Sequence, residues 1–171
     1  MLVGKNVQLK WVRQKDLEEL YERHANLSNR GDYFPLTVTS ESLFKKQFSE
    51  TGFWSDTYGR LLIVNPIEKI VGSIWYFQSI SYFDALEIGY IIWDEPDRSK
   101  GYMSESLQLF SQYIFDSKKI NRLEIRLFEE NLASRKVAEK CGYSFEGIAR
   151  GAFFHKGKNV DLYQYAKLRT D

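Results

Sequence analysis

The chain has 171 residues, 43% of them hydrophobic and 27% charged, a composition that fits one globular domain with a sizeable core and excludes a disordered or fibrous chain. A net charge of +1 gives no basic field for nucleic acid, whose nonspecific binding rests on phosphate neutralisation, and the single Cys141 excludes an intramolecular disulfide framework. No stretch approaches a transmembrane helix in length and the N-terminus carries no signal-peptide pattern, so the chain is expected in the cytoplasm with no membrane partner.

Along the chain, Val7, Leu9 and Trp11 alternate with polar residues and predict a first strand. Leu17, Leu20, Tyr21 and His24 recur at helical spacing through Gln14–Ala25, and Leu27–Val38, with Gly31, Asp32 and Pro35, reads as a loop. A second helix is predicted from about Ser40 to Thr51, ended by Gly52. Arg60–Val64 and Ile70–Gln78 flank a turn at Asn65-Pro66 as a hairpin would, and a further strand runs from Leu86 to Trp93. Met103, Leu107, Phe110 and Ile114 share one helical face, Leu123, Ile125 and Leu127 alternate as a strand, and Asn131–Lys140 is helical. Two last strands fall near Ser144–Arg150 and Val160–Leu168. The order β-α-α-β-β-β-α-β-α-β-β predicts an α/β fold, a single domain over residues 1–171. Its core would be a central mixed, twisted sheet of about seven strands with helices on both faces.

The most informative segment is Glu87–Leu107, where a strand ends, a polar loop holds Arg98-Ser99-Lys100-Gly101, and a helix starts near Met103. A helix N-terminus presents unpaired amides and a positive dipole end, which together suit a phosphate. Gly101 would allow close approach, and Arg98 and Lys100 would add charge. The same residues also suit a solvated strand-to-helix turn. The pattern is not a P-loop, since GxxxxGK[ST] is absent.

Arg98-Ser99-Lys100-Gly101-Tyr102-Met103 resembles the acetyl-CoA pyrophosphate loop R/Q-x-x-G-x-G/A of the GNAT superfamily of N-acetyltransferases, with Met103 where Gly or Ala is usual. Asn131-Leu132-Ala133-Ser134 followed by Glu139-Lys140-Cys141-Gly142-Tyr143 is similar to the superfamily's N-x-x-S/A…E-K-x-G-F/Y signature. The C-terminal GIARGAFFHKGKNVDLYQYAKL resembles the branch with ribosomal-protein N-terminal and spermidine acetyltransferases, and the likeness spans nearly the whole chain. It implies a GNAT-like domain that uses acetyl-CoA as co-substrate and acetylates a primary amine by direct attack in a ternary complex.

The resemblance also implies roles for individual residues. The pantetheine arm would lie between strands Leu86–Trp93 and Arg122–Phe128, bonded to backbone near Ile91 and Trp93. The pyrophosphate would rest on the amides of Ser99, Lys100, Gly101, Tyr102, Met103 and Ser104, and Asn131 would lie near the thiol end. Glu87 precedes Gly101 by 14 residues, as does the strand glutamate that is the base in histone-type members. Six residues of strand, roughly 20 Å, carry it from the phosphates toward the thioester. It is the first choice for general base, although an ordinary strand glutamate would occupy the same place.

The tyrosine that many relatives use against the thiolate falls at Ala138, and a glutamate used in the ribosomal-protein branch falls at Phe153. Ser134 matches the serine that assists the thiolate in that branch, and it also suits helix capping. The loop with Arg30, Asp32 and Tyr33 borders the acceptor site in this fold. Arg30 and Asp32 would read a charged acceptor or pair with each other. His24 is expected to pack and His155 to lie in a solvated turn, and two scattered histidines with one cysteine make no metal-ligand cluster.

On the resemblance the acceptor would be a small-molecule amine or a protein N-terminus, and family analogy alone implies a homodimer. The competing function is a non-catalytic acyl-CoA-binding sensor or scaffold, favoured by Met103 and Ala138.

Overall fold

The computed structural model describes residues 1–171, all with side chains except that of Asn29. The strands are β1 (Leu2–Val3), β2 (Gln8–Trp11), β3 (Tyr58–Val64), β4 (Ile70–Phe77), β5 (Ala85–Ile92), β6 (Arg122–Leu127), β7 (Ser144–His155) and β8 (Lys158–Leu168). The helices are α1 (Leu17–Ala25), α2 (Glu41–Thr51), α3 (Tyr102–Ser117) and α4 (Leu132–Lys140). One sheet of eight strands runs in the order β1-β2-β3-β4-β5-β6-β8-β7. The extra strand relative to the expected number is the two-residue β1, paired with β2.

Alternation along the strands decides which layer each side chain enters. Leu61, Ile63, Ile74, Tyr76, Leu86, Ile88, Leu123 and Ile125 form one core with Leu107, Phe110 and Ile114 of α3 and Ala138 of α4. On the opposite face Leu62 and Trp93 pack with Leu17, Leu20 and Phe44 of α1 and α2. The expected arrangement of helices on both faces is therefore present, with α3 and α4 on one side and α1 and α2 on the other.

Caps fix several boundaries. Ser40 accepts from the Leu43 amide at the start of α2, and the Asn131 side chain accepts from the Ser134 amide at 3.1 Å at the start of α4. The C-terminal hairpin departs most from expectation: β7 reaches His155 and β8 begins at Lys158, so two short strands become one long hairpin. Register shifts between Phe145 and Gly147 and between Ala149 and Phe153 explain the difference, because each bulge breaks the two-residue alternation.

One discontinuity positions the site. Strands β5 and β6 are parallel and pair only at Ala85–Arg122, Leu86–Leu123 and Glu87–Glu124. Beyond Glu87, β5 stays bonded to β4 as far as Ile92, while β6 stays bonded to β8. The two strands thus diverge into a V that opens toward the N-terminus of α3, and β5 has no ladder partner on that side from Ile88 onward.

Candidate active site

The upper rim of the V is the turn from β5 into α3. Gly101 has φ 81°, and a Cβ built there meets nothing within 4 Å, so the backbone is left-handed and its outer side is open. Ser99 also has positive φ, at 60°. The first backbone amide of this turn to find a protein acceptor is that of Glu105, which donates to the Gly101 carbonyl at 3.1 Å. The amides of Ser99 through Ser104 donate to no protein acceptor among the described residues. They crown a helix of 16 residues, whose dipole adds positive potential at that end.

Met103 does not crowd this cradle, because its side chain is buried in the core with Leu107 and leaves only its amide outward. Arg98 curls back to donate to the Ile92 and Trp93 carbonyls at 3.3 and 2.9 Å. Lys100 is half-exposed, with Asp97 3.6 Å away.

The lower part of the V holds Glu87. Its carboxylate accepts from Arg126 at 2.6 Å, and Arg126 also reaches the buried Glu124 at 3.1 Å. Glu124 in turn accepts from Arg122, which pairs with Glu146, so the charges form a chain along β6 and β7. Burial pushes the Glu87 carboxyl above its ordinary range; Arg126 opposes the rise, and the nearby Glu124 adds to it. Burial outweighs the ion pair, so Glu87 takes up a proton at higher pH than a surface glutamate.

On the other side of β5, Tyr90 points toward α4. Its hydroxyl lies 2.8 Å from the Ser134 Oγ, and burial holds the phenol above its usual pKa. Asn131 spends its side-chain oxygen on the cap of α4, one turn from this hydroxyl pair. Ala138 is fully buried in the core, a position with no room for a tyrosine ring.

The α1–α2 loop closes the face that carries Glu87. Arg30 is buried and donates to the carbonyls of His24, Pro35 and Thr37. Asp32 turns the other way. Its carboxylate accepts from Lys156 at 2.9 Å and its carbonyl lies 2.8 Å from the His155 Nε2. Arg30 and Asp32 therefore do not pair with each other. Tyr33 lies 5.8 Å from the Phe128 ring, and Phe34 meets Trp75 edge-on at 5.8 Å.

His24 packs as expected, stacked on Phe44 at 5.5 Å. His155 corrects the expectation of a solvated turn. It is buried against Phe128, because β7 continues through it and the hairpin folds over β6.

Sequence patterns did not single out Arg60, Trp75, Tyr90 or Arg126. Trp75 lies over Gly89, where a Cβ would meet the indole at 2.5 Å, and Arg60 lies 4.9 Å from the same ring. In the sequence Arg60, Trp75 and Tyr90 are single polar or bulky residues in apolar strands, and Arg126 is one polar position of an alternating strand. Among the described residues no group of three or more His, Cys, Asp or Glu is placed to hold a metal ion, and no helix is long and apolar enough to cross a membrane.

"Probable N-acetyltransferase YjcK" of Bacillus subtilis (strain 168) is 27% identical over 161 residues, covering 88% of this chain and 87% of the relative. Among solved structures, the ribosomal α-N-protein acetyltransferase RimL in complex with coenzyme A superposes with a TM-score of 0.83 at 22% identity, over 97% of this chain and 96% of that one. The spermidine N-acetyltransferase of Vibrio cholerae, in complex with CoA and spermine, gives 0.82 at 18% identity over 96% of each chain. At these identities the two structures establish the shared fold. The family model described as "Acetyltransferase (GNAT) domain" matches residues 6–144, most of the chain including both arms of the V, and the protein belongs to that family of acetyltransferases.

Proposed function

We propose that the protein transfers the acetyl group of acetyl-CoA to a primary amine by direct attack within a ternary complex. The observation that carries this is the row of unpartnered amides from Ser99 to Ser104 set at the mouth of the β5–β6 opening. Amides that point outward from a helix start suit the pyrophosphate, and the free edge of β5 near Ile91 suits the amide groups of an extended pantetheine arm. Such an arm leads the thioester toward the side chains of Glu87, Tyr90 and Ser134.

In that arrangement the amine nitrogen attacks the thioester carbonyl carbon. An N–C bond forms, the C–S bond breaks, and sulfur leaves as thiolate. Glu87 accepts the proton the amine must lose, directly or through one water, and burial, by raising its pKa, makes it a stronger base than a surface glutamate. The Tyr90–Ser134 hydroxyl pair donates a hydrogen bond to the departing sulfur, the role for which position 138 has no tyrosine. Arg126 holds Glu87 in place, and the rings of Phe34, Trp75 and Phe128 line the acceptor side, with the exposed Tyr33 at its edge.

The experiment is a CoA-release assay over small amines and N-terminal peptides, run beside calorimetry with acetyl-CoA. Binding with release of CoA on addition of an amine is the expected result. Tight binding with no amine-dependent release would leave an acyl-CoA sensor instead, and no binding would remove the cradle from the site.

A further inference from the structure

Between α1, the α1–α2 loop and the sheet lies a narrow, partly open cavity of about 20 Å³, room for about one water molecule. Arg23, Arg30, Arg60 and His24 line it together with Trp75 and Phe34, and no carboxylate does. The three arginines differ in what they face. Arg23 is paired with Asp94 at 2.5 Å. Arg30, 6% exposed, has only backbone carbonyls for partners. Arg60, 9% exposed, makes no ion pair among the described residues, and its Nε has no hydrogen-bond partner. It is held by rings instead, at 4.9 Å from Trp75, 5.9 Å from Phe53 and 6.0 Å from Tyr58.

A buried guanidinium with an unused donor is costly unless an anion meets it. Arg60 is such a group, and Arg30, whose donors meet backbone carbonyls, sets a second buried charge without a counter-ion beside it; the two repel each other and any cationic ligand as well. Burial first, and then the charges of Arg60 and Arg30, lower the pKa of the half-buried His24 imidazole beside them to about 4. His24 therefore stays neutral and accepts from the Thr39 amide at 3.4 Å.

The cavity belongs to the same face of the sheet as Glu87. Arg60 is opposite Trp75, and Trp75 is opposite Gly89, two residues along β5 from Glu87. Two inter-strand steps and two residues of strand put the Arg60 and Glu87 backbones roughly 12 Å apart. Side chains at both ends shorten that gap to the length of a small molecule, with the Trp75 indole as its floor.

We infer that the acceptor is a small amine that also carries an anionic group, a carboxylate or phosphate, with the amine toward Glu87 and the anion held by Arg60 and Arg30. This rests on the acetyltransferase reading above and narrows its substrate class. Phe34, whose ring lies 5.4 Å from the Arg30 guanidinium, covers the arginines. It stands in a segment, residues 31–39, without helix or strand. The anionic group enters as Phe34 swings aside, because the cavity as it stands holds little more than water.

The test compares matched acceptors at saturating acetyl-CoA: α-amino acids and their carboxamides, aminoethyl phosphate, spermidine and an acidic N-terminal peptide. In the wild type kcat/KM for the anionic amines should exceed that for the carboxamides by about tenfold or more, the scale of a charge-assisted hydrogen bond. Preference for the amino acids identifies a carboxylate, and preference for aminoethyl phosphate identifies a phosphate. Arg60→Gln should remove most of that preference while carboxamide turnover and acetyl-CoA affinity remain. Arg60→Lys, which keeps the charge, should retain part of it, and Arg30→Gln serves if Arg60→Gln lowers the melting temperature.

Equal rates for acid and carboxamide, faster turnover of spermidine or of the peptide, or equal losses on all acceptors in Arg60→Gln would overturn the inference and leave the acetyltransferase reading intact. Calorimetry of the same pairs against the acetyl-CoA-loaded protein separates the two claims. Preferential binding of the anionic member without CoA release keeps the subsite and removes the reaction, whereas neither preferential binding nor release removes both.

Discussion

The proposed coenzyme side and the proposed acceptor side of the β5–β6 opening are built from different materials. On the coenzyme side the recognition elements are backbone: the amides of Ser99–Ser104 and the free edge of β5 beyond Glu87. On the acceptor side they are side chains from separate strands and a loop, Arg30, Arg60, Trp75, Glu87 and Arg126. A backbone cradle accepts most side chains so long as the turn keeps its shape, so the same coenzyme site tolerates wide sequence change. A side-chain pocket changes with each substitution, so on the proposed reading acceptor choice would be set there.

The sharpest break of that comparison is Glu87→Gln, which should lower turnover by about 100-fold, within the usual range for one general base, and leave acetyl-CoA binding in place. The sign of the pH effect follows from the raised Glu87 pKa. The wild-type rate falls as pH drops through that raised value, and the variant's pH–rate profile should lack this acidic limb. A variant that keeps the limb would assign it to another group.

Next in size is Gly101→Val, a β-branched side chain at φ 81°, which should weaken acetyl-CoA binding by about tenfold or more without unfolding the protein. Calorimetry and a thermal melt together check it. Smaller still, Ser134→Ala and Tyr90→Phe should each lower kcat by about fivefold, the worth of roughly one hydrogen bond, with acetyl-CoA affinity unchanged. If the double variant loses no more than either single one, the two hydroxyls act as a pair.

The smallest effect is on stability. With its folded pKa lowered from 6.5 to about 4, His24 binds fewer protons folded than unfolded, so the stability it contributes above pH 6.5 is lost as pH falls toward 4. Melting temperatures of His24→Phe and the wild type should converge over that interval if the wild type is the more stable at neutral pH, and diverge if it is the less stable. A constant difference would show that His24 does not titrate this way.

The contrast also explains what the sequence disclosed. The strand–turn–helix of the proposed coenzyme side was legible because it is contiguous: one strand, Arg98 to Gly101, and one helix start in direct succession. The two-faced sheet was legible for a similar reason, since Leu123, Ile125 and Leu127 carry the alternation that packs against α3. Arg60 and Trp75 were not, because each looks like one polar or bulky residue in an apolar strand, and only the β3–β4–β5 register brings them beside Gly89. The Glu87–Arg126 pair was hidden likewise, as its partners are 39 residues apart and meet only through β5–β6 pairing. The hairpin length was lost to its two bulges, and the burial of His155 with it.

The division of labour is tested most directly by measuring two quantities in two variants: acetyl-CoA affinity by calorimetry, and the ratio of kcat/KM for an anionic amine to that for its uncharged carboxamide. Gly101→Val should change the affinity and leave the ratio unaltered, while Arg60→Gln should collapse the ratio and leave the affinity unaltered. A ratio that moves with Gly101, or an affinity that moves with Arg60, would contradict a backbone-built coenzyme site beside a side-chain-built acceptor site.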